Sequence, residues 1–250
     1  MSFDNMTGEI RTDISVSNDQ TKLNFYDCDY RKRIKLSTIL KIAAELSGKD
    51  YNDKGLGHSF LWEHGYVFLL SRISLHIASY PTEPEVLNAS TWECGKQGAM
   101  FMRGYDIRVG NVVCVDGESG WIVVNPETRK IIRPSAFPWP MPQVMDRPLK
   151  ALPISKISAE GAVPVGEHIV RISDLDANGH VYNANYMDFS VNFLPPEIFE
   201  QDVENLRINF INEAKLNDCI QIYRSISDKK ASVIGYLDGR ECFETEFIFR

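Results

Sequence analysis

Long apolar runs are missing from this 250-residue chain. The best candidate is broken by Arg72 and His76, so no segment approaches the roughly 20 residues of a membrane-spanning helix. Positive charge is short as well. The net charge is −7, which argues against nucleic acid as the main partner. Cysteine is sparse, and its five residues (Cys28, Cys94, Cys114, Cys219, Cys242) are odd in number. None sits at zinc-ligand spacing, so reduced thiols in core or strand positions are the default and no metal or other cofactor is expected. The first residues carry early acids, without the apolar stretch of a signal peptide or the basic character of a transit peptide. A cytoplasmic protein with a disordered N-terminus, residues 1–20, is expected.

Helical signal is scarce too. One helix is expected from Ser37 as cap, with apolar positions Leu36, Ile39, Leu40, Ile42, Ala43 and Leu46, weakening near Gly48. Strands dominate the rest. Ile73, Leu75 and Ile77 alternate with Arg72, Ser74 and His76, the pattern of a half-buried strand. Further strands fall near 85–94, 100–109 and 112–124, with Gly95-Lys-Gln-Gly98 as a hairpin turn and Asn125-Pro-Glu-Thr128 as another turn. Prolines 134, 138, 140, 142 and 148 then mark a linker over 134–163. A second helix is expected over 183–194, flanked by a strand near 167–172 and by four strands near 204–214, 217–227, 230–238 and 241–249.

What the sequence does contain is one dense group of reactive side chains, Asp174-Leu-Asp176-Ala-Asn178-Gly-His180-Val-Tyr-Asn183-Ala-Asn185-Tyr186. An acid, an amide and an imidazole alternate at Asp176, Asn178 and His180, a spacing that can aim all three the same way. Asn183 reads as a helix cap, and Tyr186 as helix core or cavity lining. His58, His64, His76 and His168 show no partner pattern.

Each half therefore reads as one helix followed by an antiparallel sheet, an internal duplication. A loop-on-loop alignment sets Asp29 against Asp176, Arg31 against Asn178, Arg33 against His180 and Ile34 against Val181. Chemistry then belongs to the second copy. A helix wrapped by a curved antiparallel sheet is a hotdog, so the fold class is α+β, a tandem hotdog in one chain. The expected units are residues 21–133, the 134–163 linker, and residues 164–250.

In these elements the chain resembles the acyl-acyl carrier protein (acyl-ACP) thioesterases. The resemblance rests on Tyr80-Pro-Thr, Thr91-Trp92, Gly95-Lys96-Gln97-Gly98, Trp121-Ile-Val-Val-Asn125 and Thr128-Arg129 in the first half. In the second half it rests on the Asp174–Tyr186 stretch and on Phe210-Ile-Asn-Glu213-Ala214. Ala214 is a departure, because plant relatives often carry cysteine there.

The resemblance implies hydrolysis of fatty acyl-ACP, releasing free fatty acid and ending fatty acid synthesis, with Asp176, Asn178, His180 and Glu213 as the catalytic set. Asn178 is a candidate oxyanion donor. Asp176 is a candidate for direct attack or for orienting, Glu213 for activating water, and His180 for polarising the carbonyl or protonating the leaving thiol; these routes stay open here. With alanine at 214, no cysteine is expected to act as nucleophile. The first half, lacking those groups, is free to supply an acyl tunnel near Trp62, Val67, Phe68 and Leu69, with Tyr186 beside it. ACP is acidic, and Arg31, Lys32 and Arg33 are the candidate docking patch. An acyl-coenzyme A thioesterase and a non-catalytic acyl-binding hotdog are the alternatives. Chain-length preference is not legible, and a homodimer is left open.

Overall fold

Alternating β-branched and aromatic residues build one sheet of 11 strands in the computed structural model, which describes residues 10–13, 15–158 and 160–250. In chain order the first half contains β1 (Val16–Lys22), α1 (Leu36–Asp53), α2 (His58–Glu63), β2 (Val67–Ile77), β3 (Val86–Gln97), β4 (Met100–Val109), β5 (Val112–Val124) and β6 (Ile131–Ile132). The second contains β7 (Val163–Ile169), α3 (Asn183–Asn192), β8 (Val203–Phe210), β9 (Cys219–Ser227), β10 (Lys230–Leu237) and β11 (Arg240–Phe249).

The sheet runs β1-β3-β4-β5-β2-β8-β11-β10-β9-β7, with β6 on β5. Each half has the same internal order, and the halves meet where β2 pairs antiparallel with β8. Ser74 lies opposite Arg207 in that pair, and the two halves repeat outward from this point. This is the tandem hotdog.

The helices form the inner layer. Ile39, Leu40, Ala43 and Leu46 of α1 share one buried core with Tyr186, Met187 and Phe189 of α3 and with inward residues of both half-sheets. Burying side chains of this size stabilises by about 1.5–3 kcal/mol each.

Several boundaries differ from expectation. The chain is in register with β3 from Val16 onward, pairing Val16 with Trp92, so the ordered first half begins before residue 21. The first nine residues, also expected to be disordered, lie outside the described residues. The cap of α1 is Lys35, not Ser37, which sits buried inside the first turn. The helix also continues through Gly48 to Asp53, because its far end is fixed by burial. Asp50 is 0% exposed and pairs with Lys54 at 2.6 Å and Arg103 at 2.7 Å.

The linker is not a free tether. Met145 N donates to Glu93 O of β3 at 2.8 Å, and carboxylates on the outer face of the sheet accept several further backbone N–H groups. Lys150 and Ala151 donate to Asp116 at 2.7 and 3.0 Å, Ile154 to Glu118 at 2.9 Å, and Ile157 to Glu244 at 3.4 Å. Under this strap β11 is buried on both faces. Phe243, Thr245 and Phe247 face the helices, yet Glu244 and Glu246 are only 2% and 1% exposed.

Candidate active site

The loop between β7 and α3 is folded by its own polar groups. A single helical turn at Ile172–Asp174 leads into a bridge between Leu175 and Val181. Between them, Asp176 Oδ1 accepts from the backbone N–H of Asn178 at 2.8 Å and of His180 at 3.3 Å. Gly179 closes the turn at φ 77°, a left-handed conformation that favours glycine. His168 braces the loop from β7: its Nε2 lies 3.0 Å from Asp174 Oδ2, and its ring stacks on Phe189 with centroids 3.7 Å apart. His168 thus has partners that the sequence did not show, as does His76, 3.0 Å from Asp116.

Val181 then ties the loop to the strand end beyond β8, donating to Ala214 O at 2.9 Å. That contact sets His180 beside Glu213, with Nε2 3.5 Å from Oε2. Both side chains are partly exposed, at 25% and 31%. A second cation reaches the same carboxylate: Arg129 Nη2, from the turn after β5, donates to Glu213 Oε2. α3 starts immediately after the loop, capped by Tyr182 and not by Asn183. Asn185 N donates back to Tyr182 O at 2.8 Å, while the first two N–H groups, of Asn183 and Ala184, have no acceptor one turn back and lie at the positive end of the helix dipole.

Asp176, Asn178, His180 and Glu213 line one cavity of about 370 Å³. The same walls include all five residues expected to meet the acyl chain: Trp62, Val67, Phe68, Leu69 and Tyr186. A second cavity of about 190 Å³, bounded largely by apolar side chains of α1, α2 and β2, adjoins it. The two share His58, Val67, Phe68 and Trp121 as walls. A polar mouth therefore opens towards an apolar bay inside the first half.

A sequence model of the acyl-ACP thioesterase N-terminal domain matches residues 15–135, and one of the C-terminal domain matches residues 159–240. The chain belongs to the acyl-ACP thioesterase family. It is 22% identical over 231 residues to a chloroplastic acyl-acyl-carrier-protein hydrolase of Cuphea viscosissima, covering 82% of this chain and 54% of that protein. The chain thus spans about half the length of the curated relatives it matches. In fold it is similar to an acyl-ACP thioesterase from Bacteroides thetaiotaomicron, with TM-score 0.85, 19% identity and coverage of 94% of this chain and 98% of that one. A 12:0-ACP thioesterase from Umbellularia californica superimposes with TM-score 0.77 at 15% identity, covering 94% and 97%.

In this member of the acyl-ACP thioesterase family the basic run Arg31–Lys32–Arg33 is not part of the cavity. It lies in the first-half copy of the loop, and its bridge between Cys28 and Ile34 matches that between Leu175 and Val181. Arg31 donates to Phe199 O and pairs with Asp202 at 3.5 Å, while Arg33 pairs with Asp202 and lies over the Tyr80 ring at 4.3 Å. Tyr80 in turn donates to Val203 O, at the start of β8, whereas Glu213 follows the end of β8. At ~3.3 Å per residue the two loops stand roughly 25 Å apart. The patch expected to receive the carrier is thus largely engaged within the chain and distant from His180.

The cysteines also take definite places. Cys242 is 0% exposed, and burial pushes its thiol up to about 11. It donates to Asn212 O at 2.9 Å, and Tyr186 OH accepts from Ala214 N at 3.2 Å beside it. Burial likewise raises the Tyr186 hydroxyl well above its ordinary value. Arg129, His58 and Trp121 were not singled out as site residues from sequence. Arg129 and Trp121 had a signal, since both stand in the motifs Thr128-Arg129 and Trp121-Ile-Val-Val-Asn125 that carry the resemblance; His58 had none, because only the fold brings it to the cavity.

Proposed function

We propose that this chain hydrolyses fatty acyl thioesters of acyl carrier protein, releasing free fatty acid and the thiol carrier. The observation that carries this reading is the junction of the His180–Glu213 pair, 3.5 Å apart, with an apolar bay through shared walls. The bay takes the acyl chain, and the thioester comes to rest at the polar mouth.

Under this reading each residue takes one role. Glu213 takes a proton from a water molecule, which attacks the thioester carbonyl. The Asn178 amide and the first N–H groups of α3 face the charge that develops on the carbonyl oxygen. The tetrahedral intermediate collapses with cleavage of the C–S bond. His180 delivers the proton to the departing sulfur, so the products are a carboxylic acid and a thiol. Asp176 orients: its Oδ1 is already engaged by two loop amides. Tyr186, Trp62, Val67, Phe68 and Leu69 bound the substrate.

Docking of the acidic carrier is better served by Lys130 and Arg133 than by Arg31–Arg33. Both are exposed, and both follow Arg129 at the mouth. A carrier-borne substrate fits action in the cytoplasm, and among the described residues no helix is long and apolar enough to cross a membrane.

The test compares ACP and coenzyme A thioesters of matched chain length. A higher kcat/KM on the carrier form is expected. Equal or better turnover of the coenzyme A form would remove the carrier assignment, and no turnover of either would leave an acyl-binding protein.

A further inference from the structure

The catalytic candidates lie in the second half, but one cation of the first half reaches into their midst. We infer that Arg129 is a positioning residue for Glu213, so that the two halves share one catalytic centre. The inference rests on the hydrolase reading above.

The turn that presents Arg129 is built for rigidity. Asn125 Oδ1 accepts three donors, from the backbones of Glu127 and Thr128 at 3.1 and 2.8 Å and from the Thr128 hydroxyl at 3.0 Å. Asn125 Nδ2 donates to Gly65 O at 3.3 Å, which pins the turn to the α2–β2 connection. Arg129 N closes onto Asn125 O at 2.8 Å. Arg129 itself holds φ 57°, a left-handed conformation that disfavours side chains with a Cβ. An unfavourable backbone held in place by so many bonds fixes where the arginine starts.

Its far end is equally specific. Arg129 Nη2 and His180 Nε2 converge on the same Glu213 oxygen, Oε2. At 3.5 Å the histidine contact is too long to hold the carboxylate by itself. Among the described residues no protein donor engages Oε1. Arg129 thus anchors one oxygen of a partly exposed carboxylate and leaves the other to face the reacting water. A charge-assisted bond of this kind supplies direction; with the Arg129 side chain 58% exposed, solvent moderates its strength. The first-half copy of the site lacks this arrangement: a tyrosine, Tyr80, stands where Glu213 stands, with Arg33 over its ring.

The experiment measures kcat and KM on acyl-ACP for Glu213→Gln, Arg129→Ala and Arg129→Lys, each with a thermal melt. No turnover by the wild-type chain would defeat the hydrolase reading itself, whereas Glu213→Gln at wild-type turnover would remove Glu213 as the base and overturn the inference alone. With Glu213→Gln inactive, Arg129→Ala is expected to lower kcat at least tenfold at unchanged KM, and Arg129→Lys to recover part of that loss. A rise in KM alone would make Arg129 a carrier contact and overturn the inference, and so would an unchanged kcat. If Arg129→Ala melts early, Arg129→Lys decides: a folded lysine variant with no better kcat than the alanine variant overturns the positioning role.

Discussion

Asp29 and Asp176 hold equivalent pairs of backbone amides in two copies of one loop. Asp29 Oδ1 accepts from Arg31 and Arg33 at 2.8 and 3.0 Å, and Asp176 Oδ1 accepts from Asn178 and His180 at 2.8 and 3.3 Å. Asp29 does so in a loop with no imidazole and no facing glutamate. The shared task of the acid is therefore to shape the turn, which supports the proposal that Asp176 orients rather than attacks.

Asparagine offers the same acceptor as aspartate to those two amides. Asp176→Asn should keep measurable turnover, while Asp176→Ala should lose far more, because the loop that aims His180 loses its internal bonds. Equal abolition of kcat in both variants, with intact melts, would restore direct attack by Asp176.

Asn178→Ala should lower kcat by about 10²–10³ if its amide faces the developing oxyanion. His180→Ala should abolish turnover and leave the melting temperature near wild type. A change confined to KM in the Asn178 variant would count against the oxyanion role.

Gly48 lines the apolar bay, and a Cβ added there meets nothing within 4 Å. Gly48→Ala should stabilise α1 by up to about 1 kcal/mol. Gly48→Leu should fill the bay and shift released fatty acids towards shorter chains, as should Val67→Phe at the wall common to both cavities. The fatty acid profile reads this directly; an unaltered profile from two folded, active variants would place the chain elsewhere.

Thiol alkylation should leave the rate unchanged. Cys219 is exposed and reacts first, while Cys114 and Cys242 are buried. Substrate-protected loss of activity in step with labelling of one cysteine would contradict a carboxylate-based centre.

Asp50, Lys54, Arg103 and Glu93 form a buried ionic cluster. Burial alone would raise the Asp50 carboxyl, but Arg103, Lys54 and Ser17 together hold it below the usual carboxylate range. Its contribution is then present above the unfolded carboxylate pKa and is lost as pH falls through the depressed folded value. Asp50→Ala leaves the buried Lys54 ammonium without its carboxylate and Arg103 with Glu93 alone, and should cost about 3–5 kcal/mol. Urea midpoints against pH test this, and the variant should show a shallower acid-side decline than wild type.

The fold was readable in the sequence where periodicity was strong: β4, β5 and β9–β11 fall within a residue or two of the expected strands, and the fused pair of hotdogs follows from them. The loop copies were readable too, since Cys28–Ile34 and Leu175–Val181 bridge alike. β1 was missed because Val16-Ser-Asn-Asp-Gln-Thr-Lys22 is mostly polar and exposed, an edge strand held by its backbone. The grouping of the nine site residues was sought along the chain, but it is created by β2 lying next to β8. Arg129 was noted only as part of a motif because its partner, Glu213, is far away in sequence, and the Arg31–Arg33 patch looked free because Asp202 was not yet beside it.

The pairing of β2 with β8 about Ser74 and Arg207 has an evolutionary reading. Two identical chains meeting at such an axis would have to carry every substitution twice, so a loop improved for catalysis could not become anything else on the other side. Joining the copies through a strapped linker lifts that restriction. One side can keep amide, imidazole and glutamate while its twin exchanges them for arginines and a tyrosine that lock the far end of the same strand pair. Each end is then free to answer to a different selective pressure.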